Sequence, residues 1–303
     1  MIHQRALEFL LAAEGTALMR SFTEDSDPEF GRARVAGMRR LLAMDELDVE
    51  PVAVQWATAV DGYRVWSQTY DDPGNGLFAP EEEVVHRLLG GLPPGVAVDA
   101  ACGTGRHSAW LAGQGHRVIG VDGSPDMLAV ARGRSLPGAS FLEGSLQRLP
   151  VPDLSANIVT CALALTHVAD LRPVFAEFAR VLRPGGSLVV SDASAELNAL
   201  GSVPRVRLAD GRPALIANHR HRASDYLSAA LSAGFQVRSC DEPRWTVGDP
   251  WTTEDDDAPI EIGPWDTWPW SLVRYVHPAW HTAVADIPVL IIWHFQKEHF
   301  QKE

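Results

Sequence analysis

Small residues follow an acidic residue in the stretch DAACGTG, which runs from Asp99 to Gly105. Glycine and alanine at such positions let a bound molecule approach the backbone closely. A second acidic residue, Asp122, ends the apolar run HRVIGVD further along the chain. A carboxylate at that place can accept hydrogen bonds from both hydroxyls of a ribose. The spacing therefore predicts a binding site for a cofactor that contains adenosine.

Strands and helices alternate around this stretch and decide where its residues lie. Helical segments such as LRPVFAEFARVL separate the apolar runs. This order is typical of right-handed βαβ units, which build a parallel sheet covered on both faces. Ligands bind such sheets at the carboxyl ends of the strands, where the glycine-rich stretch and Asp122 are expected. The predicted strands are residues 96–100, 116–122, 139–144, 157–164, 187–192, 235–240 and 289–295.

The rest of the chain consists of predicted helices at the N-terminus and two long connections. Residues 1–58 predict helices, with the polar turn TEDSDP between two of them. The segments 193–222 and 241–288 do not fit the alternation and are long enough to be functional insertions. We expect an N-terminal helical and lid segment (1–79), a Rossmann-like core (80–192 and 223–298), and a substrate cap formed by the two insertions.

Two classes of adenosine cofactor fit a strand, a glycine-rich turn and a helix. A dinucleotide fold favours G-x-G-x-x-G, but Ser108 occupies the third glycine position. Read from Asp99, the stretch is D-x-A-x-G-x-G and resembles the first motif of the class I S-adenosylmethionine-dependent methyltransferases. The resemblance covers roughly residues 60–190. It implies an α/β Rossmann-like fold, a seven-stranded sheet whose final strand runs antiparallel, and S-adenosyl-L-methionine as the cofactor.

The resemblance also assigns residues to the cofactor. The chain departs from the family at Gly144-Ser145, where the usual Gly-Asp meets the adenine amino group, so Ser145 or the backbone at Leu146 would serve. Upstream, Tyr63, Trp66 and Tyr70 share one helical face. Their rings could stabilise the sulfonium cation, or they could pack the N-terminal helices on the sheet. The expected cofactor-binding residues are Tyr63, Tyr70, Asp99, Ala101, Gly103, Gly105, Asp122, Gly123, Met127, Ser145, Leu146 and Ala162.

Several histidines are candidates for a general base, which helps methyl transfer to a hydroxyl or a C–H acid. His167 follows the fourth strand of the core, and His221 lies in the first insertion beside His219. We name His167 and His221 as candidate catalytic residues; support of a loop, or a solvated basic loop, is the alternative. His277 and His281 share the helical spacing of metal ligands. No third ligand is placed beside them, so no metal is expected.

Six of the ten tryptophans lie between Asp241 and Pro288. Tryptophan is costly to expose, so this segment must cover an apolar surface. One alternative is a structural subdomain packed on the sheet and the N-terminal helices. We favour an acceptor pocket above the strand ends, with at least one of Trp265, Trp268 and Trp270 lining the cavity that faces the sulfonium.

The composition excludes some classes of function. A formal net charge of −13 repels phosphate backbones, so nucleic acid is not expected as a partner. Three widely spaced cysteines without a C-x-x-C pair favour a reducing cytoplasm. No apolar run is long enough to span a membrane.

The sequence thus predicts a cytoplasmic methyltransferase for a small organic, hydrophobic or aromatic acceptor of secondary metabolism. One alternative is an S-adenosylmethionine-binding protein on the same scaffold with a non-methylating or regulatory role. Another is a nicotinamide-dependent oxidoreductase, which Ser108 disfavours. The sequence determines neither the methylated atom nor the oligomeric state.

Overall fold

A computed structural model of the protein describes residues 1–23, 27–245 and 261–298. The α-helices in these ranges are α1 (Ala6–Ser21), α2 (Pro28–Leu42), α3 (Ala59–Trp66), α4 (Phe78–Gly90), α5 (Arg106–Gly113), α6 (Pro125–Gly133), α7 (Leu171–Val181), α8 (Ala195–Ala199), α9 (Ala223–Ser232), α10 (Trp270–Val273) and α11 (His277–Val284). The strands are β1 (Ile2–Gln4), β2 (Val52–Ala57), β3 (Val96–Ala100), β4 (Arg117–Asp122), β5 (Ala139–Glu143), β6 (Ala156–Ala162), β7 (Leu182–Ala193), β8 (Arg205–Arg207), β9 (Pro213–Ile216), β10 (Phe235–Asp241) and β11 (Leu290–Lys297).

The chain forms two compact units, each built from three separate segments. The sequence predicted that residues 57–79 group with the N-terminal helices. They belong instead to the unit that contains the predicted core. The small unit comprises Met1–Trp56, Pro204–Leu215 and Trp245–Ile287, and the large unit comprises Ala57–Val203, Ile216–Arg244 and Pro288–Glu303.

A seven-stranded sheet runs through the large unit in the order β10-β11-β7-β6-β3-β4-β5. Within the set β3 to β7, every pair of neighbouring strands is parallel. β11 is antiparallel to both of its neighbours, β7 and β10. All seven predicted strands are present; the largest difference is β7, which begins at Leu182 instead of residue 187. The predicted fold, with its antiparallel final strand, is confirmed.

The central strands are buried on both faces. Val159 on β6 and Leu188 and Val190 on β7 are almost completely buried, and α7 contributes Phe175 and Phe178 to the same core. Burial on both faces is typical of parallel strands that lie between helix layers. The core therefore fixes the carboxyl ends of β3, β4 and β6 at one edge of the sheet.

The register of β3 and β4 brings the two predicted cofactor elements together. Ala100 at the end of β3 is paired with Val121, one residue before Asp122. The loop after β3 ends at Gly105, which caps α5 with a φ of +83° that glycine adopts without strain. α6 begins directly after Ser124, whose hydroxyl accepts the backbone N–H of Met127.

The small unit contains α1, α2, α10 and α11 and a four-stranded sheet of order β1-β2-β9-β8. The prediction that residues 1–58 are helical is wrong at β1 and β2. The run VAVQWA is mostly apolar and contains β-branched and aromatic residues, and it pairs antiparallel with Ile2–Gln4. The first insertion contains the β8–β9 hairpin, which the sequence did not predict.

No described helix has both the length and the apolar composition needed to cross a membrane. No group of three or more His, Cys, Asp or Glu side chains that could hold a metal ion occurs among the described residues.

Candidate cofactor and acceptor site

A cavity of about 280 Å³ lies at the carboxyl ends of the strands of the large unit. Residues at or after the ends of β3, β4 and β6 form one part of its wall, and α3 contributes aromatic and apolar side chains. Of the residues predicted from the sequence, the cavity brings together Tyr63, Tyr70, Ala101, Gly103, Asp122, Gly123, Met127, Ser145, Leu146, Ala162 and His167.

The Asp122 carboxylate is held in place by the backbone around it. Its Oδ2 accepts the N–H of Gly103 and its Oδ1 accepts the N–H of Ser124, each at 2.8 Å. Burial raises the pKa of Asp122, and the backbone hydrogen bonds partly offset this effect. Each carboxylate oxygen keeps a further lone pair for an O–H donor. The side chain can therefore accept the two hydroxyls of a ribose.

The loops that line the cavity contain backbone in the left-handed region. Ala101 has a φ of +58° and Leu163 one of +53°, values that are rare for residues other than glycine. Gly103 has a φ of +53°, and a Cβ added there would meet no atom within 4 Å. Backbone strain of this kind is concentrated at functional sites. The open space beside Gly103 fits a cofactor that contacts the peptide directly.

Two predicted cofactor residues, Asp99 and Gly105, do not line the cavity but support its wall. Asp99 is buried, and its Oδ2 accepts the hydroxyl of Ser108 at 2.6 Å. The residue that breaks the dinucleotide pattern thus ties α5 to the end of β3. At Gly105, an added Cβ would lie 3.3 Å from the Cβ of Ala131 on α6, so glycine permits this close approach.

Three aromatic rings gather on α3 and the turn that follows it. The ring of Tyr63 lies edge-on to Trp66 at 5.7 Å and to Tyr70 at 5.8 Å. Tyr63 and Tyr70 line the cavity, whereas Trp66 is not part of its described lining. Burial raises the pKa of Tyr63 well above its usual value and that of Tyr70 to about 12. Both hydroxyls therefore stay protonated at neutral pH.

An ion pair fastens the aromatic turn to the glycine-rich loop. Asp71, next to Tyr70, accepts the Thr104 hydroxyl at 2.8 Å and pairs with the Arg134 guanidinium at 2.5 Å. Arg134 also donates its Nε–H to the carbonyl oxygen of Thr104 at 2.6 Å. The three residues connect the turn, the loop after β3 and the end of α6, and they position Tyr70 at the cavity.

His167 is the predicted base that lines the cavity. Its Nδ1 lies 2.7 Å from the carbonyl oxygen of Ala217, and its Nε2 lies 2.8 Å from the Tyr63 hydroxyl. Because a carbonyl only accepts, the ring proton is on Nδ1, and Nε2 accepts the Tyr63 O–H. Burial lowers the pKa of His167, so the imidazole is neutral at pH 7.

His221, the second predicted base, does not line the cavity, and we correct its assignment. Its Nε2 donates to the carbonyl oxygens of Val168, at 2.7 Å, and Leu165, at 3.2 Å. It therefore supports the turn that carries His167. The backbone of neighbouring His219 donates to the carbonyl of Thr166 in the same turn. His277 and His281 lie on α11 with ring centroids 6.2 Å apart, and no further ligand gathers beside them among the described residues.

The predicted tryptophan wall is not found. Trp265 and Trp268 are buried in the small unit, where their indole N–H groups donate to Gln4 Oε1 and to the carbonyl of Ile262. Trp270 packs edge-on against Trp280 at 6.0 Å in the same unit. None of the three tryptophans is among the residues that line the cavity. Trp251 lies outside the described residues. The three named tryptophans therefore lie in the unit that contains the N-terminal helices, which agrees with that part of the structural alternative.

Comparison with known proteins agrees with this geometry. Residues 98–190, from β3 to β7, match the family described as methyltransferase domain. Residues 98–190 are therefore a methyltransferase domain, and the fold of the chain agrees with that of S-adenosylmethionine-dependent methyltransferases. The family, the fold and the cofactor predicted from the sequence are thereby confirmed.

The relatives of this methyltransferase differ in the molecules named with them. The chain is 28% identical to an uncharacterized methyltransferase of Emericella nidulans, over 61% of this chain and 78% of that protein. It is 32% identical to a malonyl-[acyl-carrier protein] O-methyltransferase of Serratia marcescens, over 52% of this chain and only 59% of that protein. The fold resembles an S-adenosylmethionine-dependent methyltransferase from Mesorhizobium loti, with a TM-score of 0.52 and 21% identity over 73% of this chain and 99% of that one.

A buried ion cluster behind the glycine-rich loop of the methyltransferase is not predicted from the sequence. Glu81 on α4 is fully buried; its Oε1 accepts from Ser191 at 2.7 Å and lies 3.0 Å from Nε2 of His107. Its Oε2 pairs with Arg106 at 2.8 Å. Burial alone would raise the pKa of Glu81, but His107, Arg106 and Ser191 lower it to about 2. The cluster joins α4, α5 and β7.

Other lining residues of the methyltransferase cavity also escaped prediction. Most present small or apolar side chains, so their types carry no signal for a site. A positive φ, as at Leu163, cannot be read from a leucine. The unpredicted lining residues are Ala59, Val60, Val121, Ser124, Gly144, Gln147, Leu149, Leu163, Ala164 and Val168.

The ion pair of Asp71 leads to a prediction about the aromatic turn. We expect Asp71→Ala to weaken S-adenosylmethionine binding by roughly three- to tenfold, because a partly exposed ion pair and a hydrogen bond contribute about 1 kcal/mol in such places. Calorimetric titration measures the affinity. Asp72→Ala is the matched control, since Asp72 is an exposed neighbouring acid, and it should retain wild-type affinity.

Hydrogen exchange of the backbone amides across residues 60–78 should slow on cofactor binding. Equal exchange with and without cofactor would favour simple packing of the turn.

Proposed function

We propose that the protein transfers a methyl group from S-adenosylmethionine to a small, uncharged organic acceptor. The observation that carries the proposal is the shared cavity, which joins Asp122 and the glycine-rich loop to Tyr63 and His167. The cofactor supplies a methyl group that is already activated on a sulfonium cation. The residues of the chain must bind it, orient the acceptor and exclude water.

The wall near His167 favours an apolar acceptor. Ala59 and Val60 lie one turn before Tyr63 on α3, and Ala164 and Val168 flank His167 in sequence. Among the described lining residues, Asp122 is the only acid, and no lysine or arginine is present. An acceptor with a carboxylate or phosphate would find no cation to pair with, and burying such a charge unpaired is costly.

The relatives do not decide the acceptor. They are named for malonyl-[acyl-carrier protein] and for demethylmenaquinone, which are different molecules. The chain spans 59% of the Serratia marcescens protein and 43% of the Chlorobaculum tepidum protein, so their substrates are not assigned to it. Our proposal therefore rests on the cavity, whose apolar wall is also compatible with an acceptor from secondary metabolism. The cytoplasmic location stays a prediction.

Calorimetry and product analysis test the proposed function. S-adenosylmethionine and S-adenosylhomocysteine should bind, and NADH should not. With a panel of neutral hydroxylated aromatic compounds, the protein should release S-adenosylhomocysteine; matched aromatic carboxylates should release much less. Binding without turnover on any member of the panel would favour the non-methylating alternative. Failure to bind either sulfur compound would contradict the proposal.

A further inference from the structure

We propose that Tyr63 and His167 form a proton-accepting pair, and that the acceptor is therefore a neutral hydroxyl compound that is methylated on oxygen. This inference rests on the proposed function and names the class of its acceptor. Tyr63 would touch the acceptor and act as a catalytic residue, whereas His167 would act through Tyr63.

The hydrogen bonds of His167 determine the direction in which a proton can move through the pair. Nδ1–H donates to the carbonyl of Ala217, which cannot donate in return. Nε2 therefore accepts a hydrogen bond from the Tyr63 hydroxyl, with 2.8 Å between Nε2 and Oη. The hydroxyl proton of Tyr63 takes part in that bond. The free lone pair on Oη of Tyr63 can accept a hydrogen bond from an acceptor O–H in the cavity that both side chains line.

The proton can then move in two linked transfers. The acceptor O–H bond breaks, its electron pair stays on the acceptor oxygen, and a new O–H bond forms on Oη of Tyr63. The original Tyr63 O–H bond breaks, and an N–H bond forms at Nε2 of His167. Tyr63 ends as a neutral phenol, and His167 ends as an imidazolium that still donates through Nδ1. The acceptor oxygen, now negatively charged, forms the new bond to the methyl carbon as the carbon–sulfur bond breaks.

The charged groups around the pair favour this arrangement. Burial raises the pKa of Tyr63, and neighbouring Tyr70 and the acidic side chains of Asp192 and Asp122 raise it further, so Tyr63 relays a proton and does not keep a negative charge. Burial lowers the pKa of His167, the bond to Ala217 opposes this, and His219 lowers it further. The imidazole is therefore neutral and ready to accept at pH 7, and it loses this capacity as the pH falls through its lowered pKa.

The residues that line the cavity also limit which atom of the acceptor can receive the methyl group. An ammonium group has no free carboxylate to pair with, because Asp122 is bonded to Gly103 and Ser124 and faces the predicted ribose. A C–H group is too weak a donor to form an effective hydrogen bond with Oη of Tyr63. A neutral alcohol or phenol both donates to Oη and tolerates the apolar wall formed by Val60 and Val168.

The test uses 4-nitrophenol as a probe of proton transfer in the complex with S-adenosylhomocysteine, without turnover. At about pH 6 the free probe is largely neutral, and its ionised form absorbs visible light. We expect the wild-type complex to bind it partly as the phenolate, with protonation of His167 Nε2 visible in ¹⁵N NMR spectra. Tyr63→Phe and His167→Gln should lower the ionised fraction of bound probe by about tenfold, the effect of losing a hydrogen bond to a charged group.

His281→Gln is the matched control, because this exposed histidine on α11 does not line the cavity. It should leave the ionised fraction as in the wild type. A purely structural role for Tyr63 or His167 would lower the affinity for the probe without changing the ionised fraction of what binds. The inference is overturned if the wild type binds only neutral 4-nitrophenol, if both variants ionise it as the wild type does, or if millimolar probe does not bind. In each case S-adenosylhomocysteine binding is measured first, so that failure of the proposed function is recognised separately.

Discussion

Replacement of Asp122 with alanine is expected to lower the affinity for S-adenosylmethionine by at least tenfold and by about a hundredfold if both ribose hydroxyls are bound. Each hydrogen bond to a charged acceptor contributes roughly 1.5–3 kcal/mol, and tenfold in affinity corresponds to about 1.4 kcal/mol. The variant also leaves the N–H groups of Gly103 and Ser124 without their carboxylate partner. Calorimetric titration with S-adenosylmethionine and S-adenosylhomocysteine measures the loss.

Glu143→Ala is the matched control for this substitution. Glu143 ends β5 and is paired in register with Asp122, but it is exposed and does not line the cavity. Both variants remove one negative charge from neighbouring strand ends, so a general electrostatic effect would weaken binding in both. We expect Glu143→Ala to bind as the wild type does. Wild-type affinity in a folded Asp122→Ala variant would show that this carboxylate does not bind the ribose.

Replacement of Glu81 with alanine is expected to lower the free energy of unfolding by about 3–5 kcal/mol, the usual effect of removing one partner of a buried ion pair. The substitution leaves Arg106, His107 and Ser191 in a buried space without their shared carboxylate. Urea unfolding at pH 7 measures the loss. Glu82→Ala is the control, because Glu82 also pairs with Arg106, at 2.7 Å, but its side chain is 36% exposed. A partly exposed pair contributes about 1 kcal/mol or less.

The same cluster makes stability depend on pH. The pKa of Glu81 falls from an ordinary 4.5 to about 2 in the folded protein. A carboxyl with a depressed pKa stabilises the fold fully above its unfolded value and loses that contribution as the pH falls through the folded value. The difference in unfolding free energy between wild type and Glu81→Ala should therefore shrink between about pH 4.5 and pH 2. A difference that stays constant over this range would contradict the ionised, paired state of Glu81.

The sequence predicts the large unit well because its signals are local. β3 and the end of β4 were placed within one residue, since apolar strands and a glycine-rich turn are encoded over about 25 residues. Ala101, Gly103 and Asp122 follow from the same stretch, and the cavity contains all three. Glu81 could not be placed, because its partners come from segments up to 110 residues away.

The small unit was predicted less well for the opposite reason. β1 has three residues, and it becomes a strand only because Ile2 pairs with Val54 of β2. The tryptophans of 265–270 show a second limit: composition indicates that they are buried, but it does not indicate which surface they cover. Trp265 is fixed by Gln4, more than 250 residues earlier in the chain. Contacts over such sequence distances leave no periodic pattern.

The position of β11 has a consequence for synthesis on the ribosome. β11 pairs with β7 and separates it from β10, yet roughly 100 residues are translated after β7 before β11 is complete. At about 5–20 residues per second this interval lasts on the order of 5–20 s. During that time β7, which contains Leu188 and Val190, has unpaired backbone groups along one edge that can recruit strands from other chains. Yield in the cell will therefore depend on translation speed and chaperone capacity as well as on the stability of the finished sheet.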